Sequence, residues 1–362
     1  MADAQARIVR ERETTPAALE RPCVAQYLYL HEPGESLAYP SSRSGGDARS
    51  LGARYLECVL VQAASLRWQA PDCQLLLVTN LPSREWLTRR GRALLDRILA
   101  LGVELVTADY RHAPRRPAEV FYSSCFVFDA IDAVTAGVDP RRRLWFVDVD
   151  CVWVDPKAAF EADAAAAGSG IGTVQIGYPP DWPMRGYTRE DLGALGGRLG
   201  ACVPVPTWIG GEVLAGTAGE LRRLVAVCED LDRELEGIDG SLNTEEQLLS
   251  LAGGLGRLEF RSLSGVAGRI WTGRRHEASN PPNPAALALW HIPSEKGLSI
   301  RRAANALLRG RTARLRRDLS SRSRAAARFN VSGVRWSRSM RDDTWIAGSR
   351  VRDAVALRTG RG

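Results

Sequence analysis

The feature that most constrains the fold of this chain is the segment 144–154, where an apolar run breaks into Asp148-Val149-Asp150. The apolar residues before Asp148 are typical of a strand buried on both faces, as the strands of a parallel sheet are. Side chains at positions i and i+2 of a strand leave the same face. We therefore expect both carboxylates to point one way and Val149 to point into the core.

Two carboxylates at this spacing repel each other unless a cation lies between them. Oxygen ligands suit Mg²⁺ or Mn²⁺, ions that commonly take their remaining ligands from water and substrate phosphates. Open α/β sheets bind ligands at the carboxyl ends of their strands, which is where this pair is expected to lie. The competing interpretation is a pair of hydrated loop carboxylates that bind nothing.

Strand-like and helix-like segments alternate through the first half of the chain. Apolar strands are predicted at 23–30, 74–80, 103–106 and 144–147, and amphipathic helices at 50–69, 86–101 and 121–136. This alternation predicts right-handed crossovers and an α/β fold with a mostly parallel sheet flanked by helices. This half contains no glycine-rich phosphate loop, so bound phosphates would have to be neutralised by a metal and by cationic side chains.

An apolar strand followed by Asp-x-Asp resembles the metal-binding motif of nucleotide-sugar glycosyltransferases with the GT-A fold. The resemblance implies a Rossmann-like GT-A domain, a divalent metal (Mn²⁺ or Mg²⁺) and a nucleoside-diphosphate sugar as donor. Asp150 would hold the metal, and Asp148 would bind the metal or the donor ribose. The segment 179–200 is long enough to close over the donor as a lid.

The next candidate segment contains Gly210-Gly211-Glu212 at the start of an apolar run. Two adjacent glycines allow a backbone to approach a ligand closely. In GT-A enzymes a glycine-rich segment before an apolar element lines the donor sugar and the acceptor. The resemblance therefore places Gly211 and Glu212 among the donor-binding residues, with an ordinary bulge or turn as the alternative.

Glu245 and Glu246 follow Thr244 at the start of a predicted helix. In GT-A transferases a helix start in this position faces the sugar. By that resemblance Glu245 or Glu246 would act as general base for the acceptor hydroxyl or would bind sugar hydroxyls. Thr244 and Gln247 also match a capping box, and acidic residues in a first helical turn are favoured by the helix dipole. The two interpretations are compatible.

His291 and Lys296 follow an apolar run near the end of the candidate catalytic region. This segment resembles the C-terminal motif of the glycogenin-like retaining transferases, in which a histidine completes the metal site and a lysine binds the diphosphate. The resemblance makes His291 a third protein ligand beside Asp148 and Asp150, a nitrogen–oxygen set that suits Mn²⁺. The chain departs from the motif at Ile292, where an aromatic residue is usual, and it lacks the Pro-Trp that often follows the lysine.

Other polar residues carry weaker signals. Tyr27, Asn80 and Ser124 lie at the ends of predicted strands or helices, where contacts with a nucleotide could arise. His31, His112 and His276 match no motif, and we expect them to be incidental.

Composition limits the setting in which the chain works. No run of about 18 apolar residues occurs, and the first 21 residues lack the apolar core of a secretion signal. The seven cysteines are scattered and form no Cys-x-x-Cys pair, which argues against a zinc site or a disulfide framework. This cysteine usage favours a reducing compartment. We therefore expect a cytoplasmic protein.

The positive charge is concentrated at the C-terminus. The 17 Arg and four Asp of residues 301–362 sum to +13, and the whole chain carries +7, so residues 1–300 carry −6. We expect a flexible leader (1–20), a GT-A domain (21–298) and an Arg-rich extension (299–362). The extension fits a helix packed on the domain with a solvated Arg face, or a peripheral contact with an anionic membrane. Nucleic-acid binding is less favoured, because aromatic residues are sparse there.

These observations predict an enzyme that moves a sugar from a nucleoside-diphosphate sugar, in the first place a UDP-sugar, to an acceptor hydroxyl on a small molecule, a glycan or a lipid-linked substrate. The sequence leaves the stereochemistry open: retention if the glycogenin-like resemblance holds, inversion if Glu246 is a true base. One alternative is a sugar-phosphate nucleotidyltransferase of the same fold, although the glycine-rich basic loop expected after its first strand is missing. Another is a non-enzymatic adaptor that binds membrane or RNA through the basic tail.

Overall fold

A computed structural model describes residues 21–32, 35, 47–113, 123–166, 168, 170–184, 186–201, 205–238, 242–272 and 280–331. A seven-stranded sheet has the order β3-β2-β1-β4-β7-β6-β8, and a three-stranded sheet has the order β5-β10-β9. The strands are β1 (Cys23–Leu28), β2 (Gln74–Thr79), β3 (Val103–Thr107), β4 (Arg143–Asp148), β5 (Cys151–Trp153), β6 (Ile171–Ile176), β7 (Trp208–Thr217), β8 (Phe260–Ser262), β9 (Ala267–Arg269) and β10 (Leu289–His291).

Within the described residues the sheets are accompanied by ten α-helices: α1 (Ala48–Gln69), α2 (Arg89–Leu99), α3 (Phe126–Thr135), α4 (Pro156–Ala165), α5 (Arg189–Arg198), α6 (Ala218–Glu236), α7 (Glu245–Gly254), α8 (Arg301–Leu308), α9 (Thr312–Leu319) and α10 (Arg322–Phe329). Short 3₁₀ turns occupy Arg84–Trp86, Pro284–Ala286 and Pro293–Glu295, and a π-helical turn spans Lys296–Ile300.

The predicted α/β architecture with a mostly parallel sheet is confirmed. β3, β2, β1 and β4 pair in parallel as neighbours, and β6 pairs in parallel with β8. β7 lies between β4 and β6 and runs antiparallel to both. Most residues of β1, β2 and β4 are apolar and buried, as is usual for strands of a parallel sheet that helices cover on both faces. All parallel strands of this half end at one edge, which is where the Asp-x-Asp pair lies.

Several predicted boundaries are wrong. The helix predicted at 86–101 begins at Arg89, because Thr88 caps it by accepting the backbone N–H of Gly91. The helix predicted at 121–136 is described from Phe126. The leader at 1–20, His276 and residues 332–362 lie outside the described residues.

The described part of the Arg-rich extension consists of three short helices, α8 to α10, rather than one amphipathic helix. The predicted boundary at 298/299 falls within a run of helical turns that continues into α8. A hydrogen bond connects α8 to the preceding domain: Arg90 of α2 donates from Nη2 to Oδ1 of Asn305 at 2.7 Å. The apolar side chains of these helices join the same core as the sheet: Ala303, Ala304, Leu307, Leu315, Leu319, Ala325, Ala326 and Phe329.

Two further expectations concern the setting of the protein. Among the helices of the described residues, none combines the length and the hydropathy that crossing a membrane requires. Six of the cysteines lie in the described part of the chain, and all six are buried free thiols.

Candidate active site

The strand that leads into the Asp-x-Asp pair ends at the first aspartate. β4 ends at Asp148, the chain turns through Val149 and Asp150, and β5 begins at Cys151 in the other sheet. The prediction of extended strand geometry through this pair is therefore wrong. The turn nevertheless buries Val149, which is 2% exposed, and brings both carboxylates to His291.

The three-stranded sheet explains how residues distant in sequence meet. β10 pairs antiparallel with β5 and parallel with β9, which places His291 opposite Cys151 on one side and opposite Arg269 on the other. The backbone N–H of Ile292 donates to the carbonyl of Asp150 at 3.2 Å. The backbone of His291 is thus fixed beside the Asp-x-Asp turn.

The three predicted metal ligands lie within the span of one ion. Nε2 of His291 is 3.1 Å from Oδ1 of Asp150 and 3.5 Å from Oδ2 of Asp148. One ligand atom from each residue lies within 4.8 Å of the other two. Neighbouring ligand atoms around an octahedral ion with bonds of about 2.1 Å are roughly 3 Å apart. These side chains could therefore share one cation with small adjustments.

Cations rather than neutral donors contact the buried carboxylate of Asp150. Its Oδ2 lies 3.0 Å from Nζ of Lys296, its Oδ1 lies 3.1 Å from Nε2 of His291, and no neutral donor is found for either oxygen among the described residues. Burial opposes ionisation, but the charges of Lys296 and His291 lower the pKa of Asp150 below its ordinary value. Burial, and then the charge of Asp150, raise the pKa of Asp148.

Both basic groups of the cluster are held in their charged forms. Burial alone would lower the pKa of Lys296 and of His291, but the charge of Asp150 raises both pKa values well above their ordinary range. Nζ of Lys296 also lies 4.9 Å from the centre of the Tyr55 ring, a cation–π contact. A metal ligand is the neutral imidazole, so binding an ion here would release a proton from His291.

A second layer of charge lies behind His291. Arg269 donates from Nη2 to Oε2 of Glu212 at 2.6 Å and also bonds Glu246. Trp208 donates from Nε1 to Oε2 of Glu246 at 3.2 Å. Oε1 of Glu212 is 3.7 Å from Nδ1 of His291. Although Glu212 is buried, the charge of Arg269 lowers its pKa to about 2. Through Glu212 and Glu246, Arg269 thus connects His291 to the start of α7.

Gly211 and Glu212 lie in an irregularity inside β7 rather than at the start of a strand, which corrects the sequence prediction for Glu212. The pairing of β6 with β7 shifts register between Thr173 and Val174, opposite this segment. A Cβ atom on Gly211 would lie 2.3 Å from Oε1 of Glu245, and one on Gly210 would lie 2.2 Å from Oε2 of Glu212. The glycines therefore make room for two carboxylates of the cluster.

Glu245 begins α7 close to Gly211. The Thr244 hydroxyl caps this helix, but the predicted capping box is only half formed, because Oε1 of Gln247 accepts the N–H of Asn243 instead. Burial, and then the charge of Glu246, raise the pKa of Glu245 to about 8. Its Oε2 is buried without a hydrogen-bond partner among the described residues. Burial thus favours the protonated form of Glu245 at neutral pH.

The charge balance of the cluster fits a divalent ion. When ionised, four of its carboxylates carry −4, against +2 from two permanent cations: Asp148, Asp150, Glu212 and Glu246 against Lys296 and Arg269. With a neutral His291 the sum is −2, which one divalent cation would bring to zero. The residues present thus fit a metal held by Asp148, Asp150 and His291.

Three of the weaker candidates take part in internal contacts. Asn80 accepts the N–H of Leu30 at 2.7 Å and donates to the carbonyl of Leu30 at 2.9 Å, so it fixes the chain after β1. The hydroxyl of Tyr27 donates to the carbonyl of Gly211 at 3.0 Å. A side-chain hydrogen bond from Ser124 acts on Glu245, which places Ser124 at the edge of the cluster.

The candidate lid at 179–200 is tied to α7 in this structure. Gln247 donates from Nε2 to the carbonyl of Met184 at 3.2 Å. Arg189, at the start of α5, donates from Nη1 to the carbonyl of Tyr178 at 3.1 Å. The segment therefore lies against the helix that carries Glu245 and Glu246, and its role in closure stays a prediction.

Sequence reasoning missed Arg269 and Tyr55. Arg269 lies in a three-residue strand without a motif, and its importance arises only from pairing beside His291. Tyr55 had a detectable signal, because Tyr55, Gln62 and Gln69 recur every seven residues on one face of the predicted helix.

Comparison with known proteins gives fold-level similarity only. No protein-family model matches the chain, and no curated protein matches it in sequence. The galactosyltransferase LgtC, solved with donor and acceptor sugar analogs, is 11% identical with a TM-score of 0.49, covering 80% of this chain and 95% of that one. Apo mouse xyloside xylosyltransferase 1 is 12% identical with a TM-score of 0.47, covering 75% and 97%. Both are glycosyltransferases, but similarity at this level carries no functional argument for this chain.

Proposed function

We propose that this chain is a metal-dependent glycosyltransferase that moves a sugar from a nucleoside-diphosphate sugar to an acceptor hydroxyl. The observation that carries the proposal is the convergence of Asp148, Asp150, His291 and Lys296 at the carboxyl edge of the sheet. A cation site beside a lysine ammonium supplies the positive charge that a diphosphate needs. The chain has no glycine-rich phosphate loop to supply it instead.

Each residue of the cluster has a role in this proposal. Asp148, Asp150 and His291 would hold the metal, and their nitrogen–oxygen set suits Mn²⁺. The ion, when bound, supplies Lewis-acid stabilisation of phosphate oxygens. Lys296 would contact the leaving diphosphate, where negative charge develops as the bond between the sugar and the phosphate breaks. Positive charge held in place beforehand lowers that barrier.

The acidic residues of α7 support a mechanism without a strong enzymatic base. Glu246 is held by Arg269 and Trp208, so its carboxylate is not free to take a proton from an acceptor. The protonated form of Glu245, which burial favours, would donate a hydrogen bond to a sugar or acceptor hydroxyl. This arrangement favours retention of anomeric configuration, and NMR of the product anomer would decide between retention and inversion.

The finer features of the proposal concern donor and partners. We propose a UDP-sugar as the donor, with Gly211 and Glu212 among the residues that contact it. The segment 179–200 would exclude water from the bound donor. The extension could add a peripheral membrane contact through charge alone, because the apolar faces of α8 to α10 are used in the core. The exposed arginines available for such a contact are Arg301, Arg302, Arg309, Arg311, Arg314, Arg316, Arg317 and Arg324.

The test is release of nucleoside diphosphate from UDP-, GDP- and dTDP-sugars in the presence of Mn²⁺. We expect release from one class of donor and its loss in Asp150→Ala, with Asp230→Ala, an exposed acid on α6, as the matched control. Activity that persists in Asp150→Ala would contradict the proposed centre. Pyrophosphate-dependent formation of a sugar 1-phosphate would instead indicate the nucleotidyltransferase alternative.

A further inference from the structure

One face of α1 is polar although it lies inside the protein. Tyr55, Gln62, Ser65 and Gln69 recur on this face at helical spacing, and Gln62 and Ser65 are fully buried. Burying an amide or a hydroxyl costs free energy unless the group is hydrogen-bonded. The partners of these side chains therefore show what the face holds in place.

The partners bracket the Asp-x-Asp turn. Gln62 donates from Nε2 to the carbonyl of Asp148 at 2.9 Å. At the other end of the turn, the hydroxyl of Ser65 accepts the N–H of Trp153 at 3.1 Å, and Gln69 donates from Nε2 to the carbonyl of Trp153 at 2.9 Å. One helix thus fixes the chain on both sides of Asp150.

Of these hydrogen bonds, the one from Gln62 is made to a candidate metal ligand, Asp148. A carbonyl oxygen only accepts, so the amide nitrogen of Gln62 must face Asp148, and the orientation of the amide follows from the contact. Asp148 is the last residue of β4, where the chain leaves the large sheet. Oδ1 of Asp148 accepts the N–H of Val149 at 2.7 Å, which leaves Oδ2 facing His291. The peptide after Asp148 thereby sets the direction of the carboxylate.

The same helix also contacts Lys296, the cationic side chain of the site. The ring of Tyr55 lies under Nζ of Lys296 at 4.9 Å. A single rigid element therefore relates the position of Lys296 to that of the Asp-x-Asp turn. The spacing between the diphosphate-binding cation and the metal ligands would then depend on α1.

We propose that Gln62 is a positioning residue of the metal centre, acting through the peptide that follows Asp148. The inference rests on the proposed function, because it presupposes that Asp148 binds a metal. Residues that orient metal ligands commonly change metal affinity by about 10- to 100-fold when they are replaced. A merely structural residue would lower stability and leave the metal affinity unchanged.

The test compares Gln62→Met, which keeps the shape and loses the donor, with Gln69→Met as matched control. Gln69 makes the same kind of bond from the same helix, but to Trp153, beyond the metal ligands. Mn²⁺ binding to the nucleotide-free protein is measured by calorimetry, together with the melting temperature. We expect Mn²⁺ affinity to fall about 10-fold or more in Gln62→Met and less than about twofold in Gln69→Met, with similar losses in melting temperature.

Two results would overturn the inference: Mn²⁺ affinity unchanged in Gln62→Met, or equal weakening in both variants. If Gln62→Met does not fold, Gln62→Asn keeps a polar side chain that is one methylene too short, and the same comparison applies. Absence of Mn²⁺ binding by the wild type would contradict the metal centre itself and the role of Gln62 with it. That result needs no variant, so the two failures are distinguishable.

Discussion

The two edges of the large sheet carry opposite excesses of charge. At the carboxyl edge, carboxylates around Asp148 and Asp150 outnumber the cations that face them. At the amino edge, Arg143 and Arg261 share one buried carboxylate, that of Asp163. Both edges are therefore unbalanced, and each contains a buried carboxylate, that of Asp150 at one edge and that of Asp163 at the other.

The two edges differ in the groups that form hydrogen bonds with the excess charges. Arg261 also donates from Nε to the carbonyl of Gly170 at 3.0 Å, so neutral oxygens take up part of the excess at the amino edge. Burial lowers the pKa of Arg261 to about 10, which still leaves it charged at neutral pH. Asp150 has no comparable neutral donor among the described residues. Nη1 of Arg261 is itself buried without a hydrogen-bond partner among the described residues, so neutral oxygens cover only part of the excess at the amino edge and the two edges differ in degree.

The largest expected effect is at the amino edge. Asp163→Ala would leave the buried Arg261 and the partly buried Arg143 without this carboxylate, which costs about 3–5 kcal/mol of unfolding free energy. Denaturant unfolding measures the loss. Asp230→Ala, which removes an exposed ion pair with Arg233, serves as the control. A loss no larger than that of the control would show that the amino edge tolerates its excess charge without Asp163.

At the carboxyl edge, Lys296→Met should weaken binding of a nucleoside diphosphate with Mn²⁺ by about 10- to 100-fold, because a charge-assisted bond of about 1.5–3 kcal/mol is lost. Calorimetric titration gives the affinity. Lys157→Met is the matched control, since Lys157 is 82% exposed on α4. Equal affinities for the two variants would show that Lys296 does not bind the diphosphate.

A third prediction compares how the stability of the wild type and of Glu245→Gln depends on pH. The pKa of Glu245 in the folded protein is raised to about 8 by burial and then by Glu246, so the folded state holds a proton that the unfolded state has lost. Stability of the wild type should therefore fall as pH rises from the ordinary carboxyl range to about 8.

Glu245→Gln has no proton to lose, so it should become more stable than the wild type across that range. Melting temperatures at about pH 5 and about pH 8.5 test this. Glu161→Gln, which is mostly exposed on α4, is the control. A difference between variant and wild type that does not change with pH would contradict the raised pKa.

The smallest effect is expected at His112, which follows β3. Nδ1 of His112 contacts Asp129 and Nε2 contacts Glu229, each at 2.8 Å, and Arg111 and Asp132 lie beside them. Burial lowers the pKa of His112, but Asp129 and then Glu229 raise it above its ordinary value overall.

A raised histidine pKa stabilises the fold below about pH 6.5, and this contribution is lost as pH rises through the folded pKa. His112→Gln should therefore cost roughly 0.5–1 kcal/mol at low pH and less at high pH. NMR titration of the imidazole would measure the pKa directly. A value below that of a free histidine would contradict the prediction, and a raised value would show that this residue, expected to be incidental, joins α3 to α6.

The sequence was sufficient for the parallel half of the sheet, because buried parallel strands are continuous apolar runs that alternate with helices. The Asp-x-Asp pair and His291 could be found because their residue types and order resemble a known motif. The turn at Val149 could not be foreseen, since an apolar residue between two acids reads as a strand position whether it points into a sheet or into a turn.

Other parts of the site depend on tertiary pairing that leaves no local pattern. Arg269 becomes important only because β9 pairs with β10 beside His291. Gln62 becomes important only because α1 packs against the end of β4. Arg269 is signalled only by one polar residue in an apolar setting, and Gln62 also by its seven-residue spacing from Tyr55 and Gln69, but neither signal identifies the partner.

The most direct test of the metal–diphosphate centre is thermal stability with UDP, GDP and dTDP, each with and without Mn²⁺, for the wild type and Asp150→Ala. A ligand at about 100 times its dissociation constant adds about 2.7 kcal/mol, which is visible as a shift in melting temperature. We predict a shift with one nucleotide that requires Mn²⁺ and is lost in Asp150→Ala. A well-folded wild type that shows no shift with any nucleotide, or a shift that survives in Asp150→Ala, would contradict the account.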